Sequence, residues 1–357
     1  MNNELNMQQL LDLAINRGAS DLHIIAGVPP MLRISGVLLP IEGEAILNPE
    51  KIARLLESVL TAEQIKLLTS SKELDFSLAF SDKARFRVNA YTQKRSYAAA
   101  FRAIPLSIPS VDALGLPPIL HNFTTMRQGL ILVTGPTGHG KSTTIAALLE
   151  EINMNSSTHI VTIEDPIEFI LTPKRSIISQ REMSTDTNSW SVALRSVLRE
   201  DPDIVLVGEM RDYETIAAAL TVAETGHLVF ATLHTNSASQ TIDRIVDVFP
   251  SEQQSQVKLQ LSNSLVAVLS QRLVPRVDEG RSVAYELMMA TTAIKTAIRD
   301  GKTHQIDSVI QTSSDSGMST LETSLAALVN DGKITIETAK SFSIRPDQLT
   351  RLLQRGQ

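Results

Sequence analysis

Apolar residues recur at helical spacing near the start of the chain, where Met7, Leu10, Leu11, Ala14 and Ile15 share one face and Gly18 offers a stop. Short apolar runs at 22–24 and 32–34 predict strands, and Ser35-Gly36 predicts a turn into a third run, Val37-Leu38-Leu39. Asn48-Pro49 supplies a cap and first-turn proline for a helix that buries Ile52, Leu55, Leu56 and Val59. Thr61 with Gln64 forms a capping box for the next helix. Further on, the run 85–90 alternates with period two. Phe86, Val88 and Ala90 face one way, and Arg85, Arg87 and Asn89 the other. Arg102 falls on a neighbouring strand-like run after residues 97–101, and the simplest reading of these arginines is a solvated sheet face.

Residues 104–118 are rich in Pro, Ser and Gly and read as a linker. The expected division is an N-terminal domain over 1–104, a linker over 105–118 and a second domain over 119–357. Beyond the linker, apolar strand and helix alternate, with strands expected at 130–133, 159–163, 204–207 and 228–232. That alternation argues for a mostly parallel sheet flanked by helices, so the fold class is α/β throughout. Between the strands, Trp190, Ala193, Leu194, Val197 and Leu198 are expected on one helix face. Arg195 and Arg199 then fall near Glu200, Asp201 and Asp203 as surface salt bridges or a subunit contact.

The strand at 130–133 runs into Gly135-Pro136-Thr137-Gly138-His139-Gly140-Lys141-Ser142-Thr143 and then a helix-like segment. This is G-x-x-x-x-G-K-[ST] in the strand-loop-helix setting that a phosphate-binding loop needs. Glycines let backbone N–H groups turn towards a phosphate, and the helix N-terminus adds to the field. Lys141 would reach the β- and γ-phosphates of ATP, and the Ser142 hydroxyl would hold Mg²⁺.

Two further strands deliver acids to the same expected edge, since ligands in open α/β sheets gather at strand carboxyl ends. The strand at 159–163 leads into Glu164-Asp165-Pro166-Ile167-Glu168, and that at 204–207 into Gly208-Glu209. Glu209 is the better placed to orient an attacking water, and Glu164 to support water or Mg²⁺. His227 and His234 bracket the next strand, too far apart to share a metal. His234 suits sensing a γ-phosphate or carrying a proton, although a hydrogen-bonded structural histidine is the simpler reading from spacing alone.

Composition removes several classes of function. The 357 residues are 43% hydrophobic and 20% charged, with a formal net charge of -6 and no cysteine. Disulfides, thiolate chemistry and cysteine-ligated zinc are excluded, and the acidic balance gives no broad attraction to nucleic acid or an anionic bilayer. No stretch approaches the ~18 consecutive apolar residues of a membrane span, and the polar start, Met1 to Asn6, does not read as a secretory signal.

Taken together, these motifs resemble the type IV pilus retraction ATPases, the PilT-like branch of the secretion ATPase superfamily, over nearly the whole chain. Ser20-Asp21-Leu22-His23 matches the family's opening block, and Arg85 to Asn89 leads into its arginine region. Residues 163–168 match its Asp box, 201–212 its Walker B region and 223–236 its His box. The resemblance implies a PAS-like N-terminal α/β domain, a RecA-like P-loop ATPase domain with a helical C-terminal region, and a homo-hexameric ring that binds ATP and Mg²⁺ between domains. It implies Glu209 as main catalytic acid, Glu164 as its assistant, His227 and His234 as active-site groups, and Arg87 and Arg102 as completing the phosphate site. It also implies a cytoplasmic motor working on an inner-membrane pilus platform protein, with a second retraction ATPase as a further partner. Residues 293–302 resemble the block associated with retraction, with Ala293, Ala297 and Ile298 expected on one apolar side. Lys295-Thr296-Ala297 stands there where Arg-Asn-Leu is usual. His139 occupies a loop position where the family usually has a small residue, and it suggests slower or pH-sensitive turnover.

Alternatives are an accessory retraction ATPase, a pilus extension or type II secretion ATPase, a nucleic-acid translocase, and a nucleotide-gated interaction protein without turnover. Extension-type relatives commonly carry a four-cysteine zinc insertion and a longer N-terminal region, which this chain lacks. No basic–aromatic interleaving suggests a strand-binding groove. Keeping Lys141, Glu164 and Glu209 together points to hydrolysis.

Overall fold

The computed structural model describes residues 6–34, 36–80, 84–104 and 107–355. The first five residues, Ser35 of the expected turn, and residues 105–106 of the expected linker lie outside the described residues. The chain divides into two compact units, Met1–Ser107 and Ile108–Gln357.

In the first unit, α1 (Met7–Asn16) opens with a capping box between Asn6 and Gln9 and is followed by β1 (Asp21–Ile24), β2 (Met31–Ile34) and β3 (Val37–Pro40). Asn48 caps α2 (Pro49–Glu57), and the Thr61–Gln64 box opens α3 (Ala62–Ser71). Three longer strands complete the unit: β4 (Glu73–Phe80), β5 (Ala84–Gln93) and β6 (Ser96–Ile104). All six strands pair antiparallel in the order β3-β2-β1-β6-β5-β4. Alternation sends Phe86, Val88 and Ala90 into a core with Met7, Leu10, Leu11, Ile52 and Leu56, so α1 and α2 cover one face of the sheet. Ile15 and Val59 pack at its margin rather than fully inside.

The second unit begins before the expected boundary. Val111 and Leu116 are buried with Leu120 and Phe123, so the Pro- and Gly-rich segment from 108 onwards packs on this core instead of spanning open solvent. A 3₁₀ segment, Pro118–Thr125, leads to β7 (Gly129–Thr134), α4 (Lys141–Asn155), β8 (His159–Glu164) and β9 (Ile177–Glu182). Next come α5 (Trp190–Val197), β10 (Ile204–Val207), α6 (Tyr213–Glu224), β11 (Leu228–Leu233) and α7 (Ala238–Asp247). Then α8 (Ser251–Ser264) feeds β12 (Leu265–Pro275) and β13 (Arg281–Met289). The chain closes with α9 (Thr292–Arg299), α10 (Ile306–Thr312), α11 (Leu321–Asn330), α12 (Ile336–Phe342) and α13 (Pro346–Arg355).

The sheet order is β13-β12-β7-β11-β10-β8-β9, parallel throughout except for β13. Its central strands are buried along their whole length, as a sheet covered on both faces requires. Two helix expectations need correction. The helix α5 ends at Val197, so Leu198 is exposed and Arg199 lies past the helix; Glu200 pairs with Arg181 of β9 instead, at 3.0 Å. In α9 the buried side is Ile294, Ala297 and Ile298, while Ala293 is exposed. Among the described residues no helix is long and apolar enough to cross a membrane.

Candidate active site

Four parallel strands bring the site together. β7 ends in the loop 135–140, β8 in Glu164, β10 in Gly208-Glu209 and β11 in His234, so all four groups emerge at one edge of the sheet. The loop then enters α4 at Lys141, which directs the helix N-terminus and its unpaired N–H groups at whatever the loop encloses.

The loop is built against β12. At Gly135, where φ is +138°, an added Cβ would lie 2.3 Å from the backbone oxygen of Gln271, so no side chain fits. Gln271 itself accepts from the Thr144 hydroxyl at 2.9 Å and donates to the His139 carbonyl at 2.8 Å. Just before the loop, Thr134 and Ser270 share a buried hydroxyl contact of 2.7 Å. His139 does not point into the loop. Its Nδ1 accepts the backbone N–H of Leu273 at 2.9 Å, which fixes the ring against β12. Burial, reinforced by the charges of Arg272, Lys141 and Arg281, holds this imidazole below the ordinary histidine range.

Lys141 folds across the loop and donates to the carbonyls of Gly135 at 2.8 Å and Pro136 at 3.0 Å. Burial pulls its ammonium below the usual lysine range, against the pull of Glu209 and Glu168. The third contact of the ammonium is His234 Nδ1, at 3.4 Å, and the same nitrogen lies 3.3 Å from the Thr137 hydroxyl. The opposite ring nitrogen, Nε2, is 3.0 Å from Glu209 Oε1. With donors at Nδ1 and a carboxylate at Nε2, these partners assign the Nε2–H tautomer. His234 thus links the phosphate-loop lysine to the acid at the end of β10.

Glu209 is held from its other side by Arg211, whose Nε lies 2.7 Å from Oε1 and whose Nη2 donates to Oε2 at 2.7 Å. Burial pushes the Glu209 carboxyl up, but the Arg211 hydrogen bond and charge, together with His234, leave it below the usual range. It is therefore a carboxylate at neutral pH. Sequence reasoning missed Arg211, because spacing of two residues after Glu209 does not reveal a side chain that turns back.

Glu164 sits in the opposite electrostatic setting. It is 8% exposed, accepts from the Thr162 hydroxyl at 2.7 Å and Gln180 at 3.2 Å, and burial pushes its pKa up to about 7 against those hydrogen bonds. Gly208 passes so close that a Cβ there would lie 3.1 Å from the Glu164 Cα. Ser142, Glu164 and Gly208 line one cavity of about 30 Å³. Among the described residues there is no cluster of three or more His, Asp or Glu able to hold a metal by itself. The donor set, one hydroxyl and one carboxylate beside a phosphate loop, suits a Mg²⁺ that arrives with its phosphates and keeps waters, rather than an all-protein cage.

Of the other expected site residues, His227 lies at the opposite end of β11 from His234. His227 precedes β11, with Nδ1 3.1 Å from Val222 O and 3.1 Å from the Thr225 hydroxyl. A strand length of roughly 20 Å separates it from His234, so within one chain it does not join the phosphate loop. Arg87 and Arg102 belong to the first unit, where strand register lines up Arg33, Asp21, Arg102, Arg87 and Ser77 in one row across five strands. Arg102 is not a lone solvated cation. Its Nε donates to Asp21 Oδ1 at 2.9 Å.

Comparison with known proteins agrees with this geometry. The Type II/IV secretion system protein family matches residues 3–280. The type IV pilus retraction ATPase PilT of Pseudomonas aeruginosa is 47% identical over 343 residues, covering 96% of this chain and 99% of that one. The type IV pilus ATPase PilU of the same organism is 36% identical over 353 residues, covering 99% and 92%. A crystal structure of the pilus retraction motor PilT with bound ADP superposes with a TM-score of 0.91 at 46% identity, covering 98% and 100%. The chain therefore belongs to the Type II/IV secretion system protein family, among its PilT-like type IV pilus retraction ATPases.

Proposed function

We propose that this chain is the subunit of a cytoplasmic hexameric motor that hydrolyses ATP with Mg²⁺ and uses the cycle to disassemble and retract type IV pili. The observation that carries the reading is the chain of contacts Lys141–His234–Glu209 across three strand ends, with the phosphate loop on one side and a charged acid on the other. In the related structure the PilT motor holds ADP. Here the backbone of 135–143 and Lys141 take the phosphates. Glu209, kept ionised by Arg211 and His234, orients the attacking water and accepts its proton. Ser142 and Glu164 hold Mg²⁺, which supplies charge neutralisation on the phosphates.

We read the first unit as PAS-like, from its helix-backed antiparallel sheet, and the second as RecA-like, from its parallel sheet and phosphate loop. Arg87 and Arg102 are the first unit's contribution to the transferring phosphoryl charge, and His227 acts in a neighbouring subunit's site. Domain closure around nucleotide passes to an inner-membrane platform protein, with a second retraction ATPase as a further partner. The ring gives each subunit the same interface on an axis.

The purified chain should hydrolyse ATP in a Mg²⁺-dependent way. Lys141→Ala should lose nucleotide binding, Glu209→Gln should bind but not turn over, and single-stranded DNA should leave the rate unchanged. No hydrolysis by the native chain, or strong stimulation by DNA, would rule the reading out.

A further inference from the structure

Behind the loop that carries His234, β13 and the C-terminal helices build a charged cluster that hydrolysis as proposed does not use. Glu286 of β13 is 2% exposed, and its Oε1 accepts the backbone N–H of Ala238 at 2.8 Å. Ala238 is the first residue of α7, whose N-cap is Ser237, and His234 stands four positions earlier. The first N–H groups of a helix have no partner inside it and favour an anionic acceptor. Here a different strand supplies that acceptor.

The other oxygen of Glu286 lies 3.6 Å from Arg345 Nη1. Arg345 is also bound to Asp307 of α10, and its Nη1 is 3.5 Å from Glu322 of α11. Glu322 is fully buried and accepts the backbone N–H groups of Ile344 at 3.0 Å and Arg345 at 2.8 Å, and the Ser343 hydroxyl at 3.0 Å. Arg272 of β12 donates to the Phe342 carbonyl at 3.0 Å and faces both glutamates. Burial works against a charged Glu286, with Asp307 and Glu322 adding to that pressure, and Arg345 and the Ala238 N–H oppose it. In strand register Glu286 is also opposite Ser270, and Ser270 is opposite Thr134, the residue before the phosphate loop.

We infer that Glu286, clamped by Arg345, is a positioning residue for hydrolysis: it anchors the first turn of α7 and so fixes the loop that holds His234 between Lys141 and Glu209. The C-terminal segment 343–345 thereby becomes part of what sets the active site, although it touches no reacting group. This inference rests on the reading of His234 as part of the hydrolytic apparatus. Misplacing a catalytic group by about 1 Å is enough to cost on the order of 10²-fold in rate.

The test is a double-mutant cycle on steady-state ATP hydrolysis by the full chain. Glu286→Met should lower kcat by on the order of tenfold or more while KM for ATP stays within about twofold. Glu286→Gln keeps a carbonyl for the Ala238 N–H and should recover most of that loss. In a His234→Ala background, Glu286→Met should add less than about twofold. Should Glu286→Met fail to fold, Ala238→Pro removes the same N–H at a helix position that tolerates proline, and it should lower kcat in the same His234-dependent way. Equal losses in the Gln and Met variants, or a full tenfold loss persisting without His234, would overturn the inference. Native rates in the Glu286 and Ala238 variants alongside an impaired His234→Ala would overturn this inference alone. A His234→Ala enzyme with native kcat would overturn it together with the reading of the site.

Discussion

His234 places one ring nitrogen 3.0 Å from Glu209 Oε1 and the other 3.4 Å from Lys141 Nζ. A single imidazole thus touches both the lysine proposed to take phosphate charge and the acid proposed to orient the attacking water. His234→Ala should lower kcat on the order of 10²-fold with nucleotide affinity nearly intact, read from single-turnover hydrolysis beside equilibrium binding of ATP. Lost affinity with an unchanged chemical step would place His234 in binding rather than in hydrolysis.

Arg211 is the residue that keeps Glu209 ionised from the exposed side. Removing it as Arg211→Gln should raise the Glu209 pKa, since a hydrogen bond and a positive charge both favour the carboxylate. With the carboxylate as the proposed working form, the acidic limb of kcat/KM against pH should move upwards. An unmoved limb would mean that Arg211 does not tune Glu209.

The phosphate loop, its lysine and both acids were legible in the sequence, because each is set by a short motif placed at a strand end. The capping pairs Asn48-Pro49 and Thr61–Gln64 were legible for the same reason: their physics closes within three residues. What escaped depends on distant partners. Gln271 supports the loop from 132 positions beyond His139, so no local pattern announces that contact. Val111 and Leu116 sit in a segment whose composition looks solvated, and only the core they meet shows otherwise. His227 and His234 look equivalent around one strand, yet direction along that strand places only His234 beside Lys141. The C-terminal cluster around Arg345 joins four elements, and no local pattern predicts it.

His139 makes a prediction with a definite sign. Its Nδ1 must stay unprotonated to accept the Leu273 N–H, and its pKa in the fold lies below the ordinary value. The stability it contributes is therefore present above about pH 6.5 and is lost as pH falls towards the lowered value. Native turnover and thermal midpoint should both decline on that acidic side. His139→Ser should flatten the decline and cost ~1 kcal/mol through the Leu273 N–H it leaves unpaired. Identical pH profiles and rates in the two proteins would show the ring to be a bystander.

His121 should behave in the opposite sense. Hydrogen bonds from its ring to Glu151 at 2.8 Å and Asp112 at 3.1 Å raise its pKa, so the charged form ties residues near the start of the second unit to α4. Its contribution is complete below the ordinary histidine pKa and disappears as pH rises through the raised value. The difference in unfolding midpoint between the native chain and His121→Gln should be larger at about pH 6 than at about pH 8.5. A difference independent of pH would contradict the assignment.

Retraction by hydrolysis is tested most directly by counting surface pili in cells that lack the gene, restored with either the native chain or Glu209→Gln. Excess, non-retracting pili are expected in the deletion and in the Glu209→Gln strain, corrected by the native chain alone. Bald cells would assign the chain to extension. Unchanged piliation, or correction by Glu209→Gln, would contradict a principal retraction motor that works through Glu209.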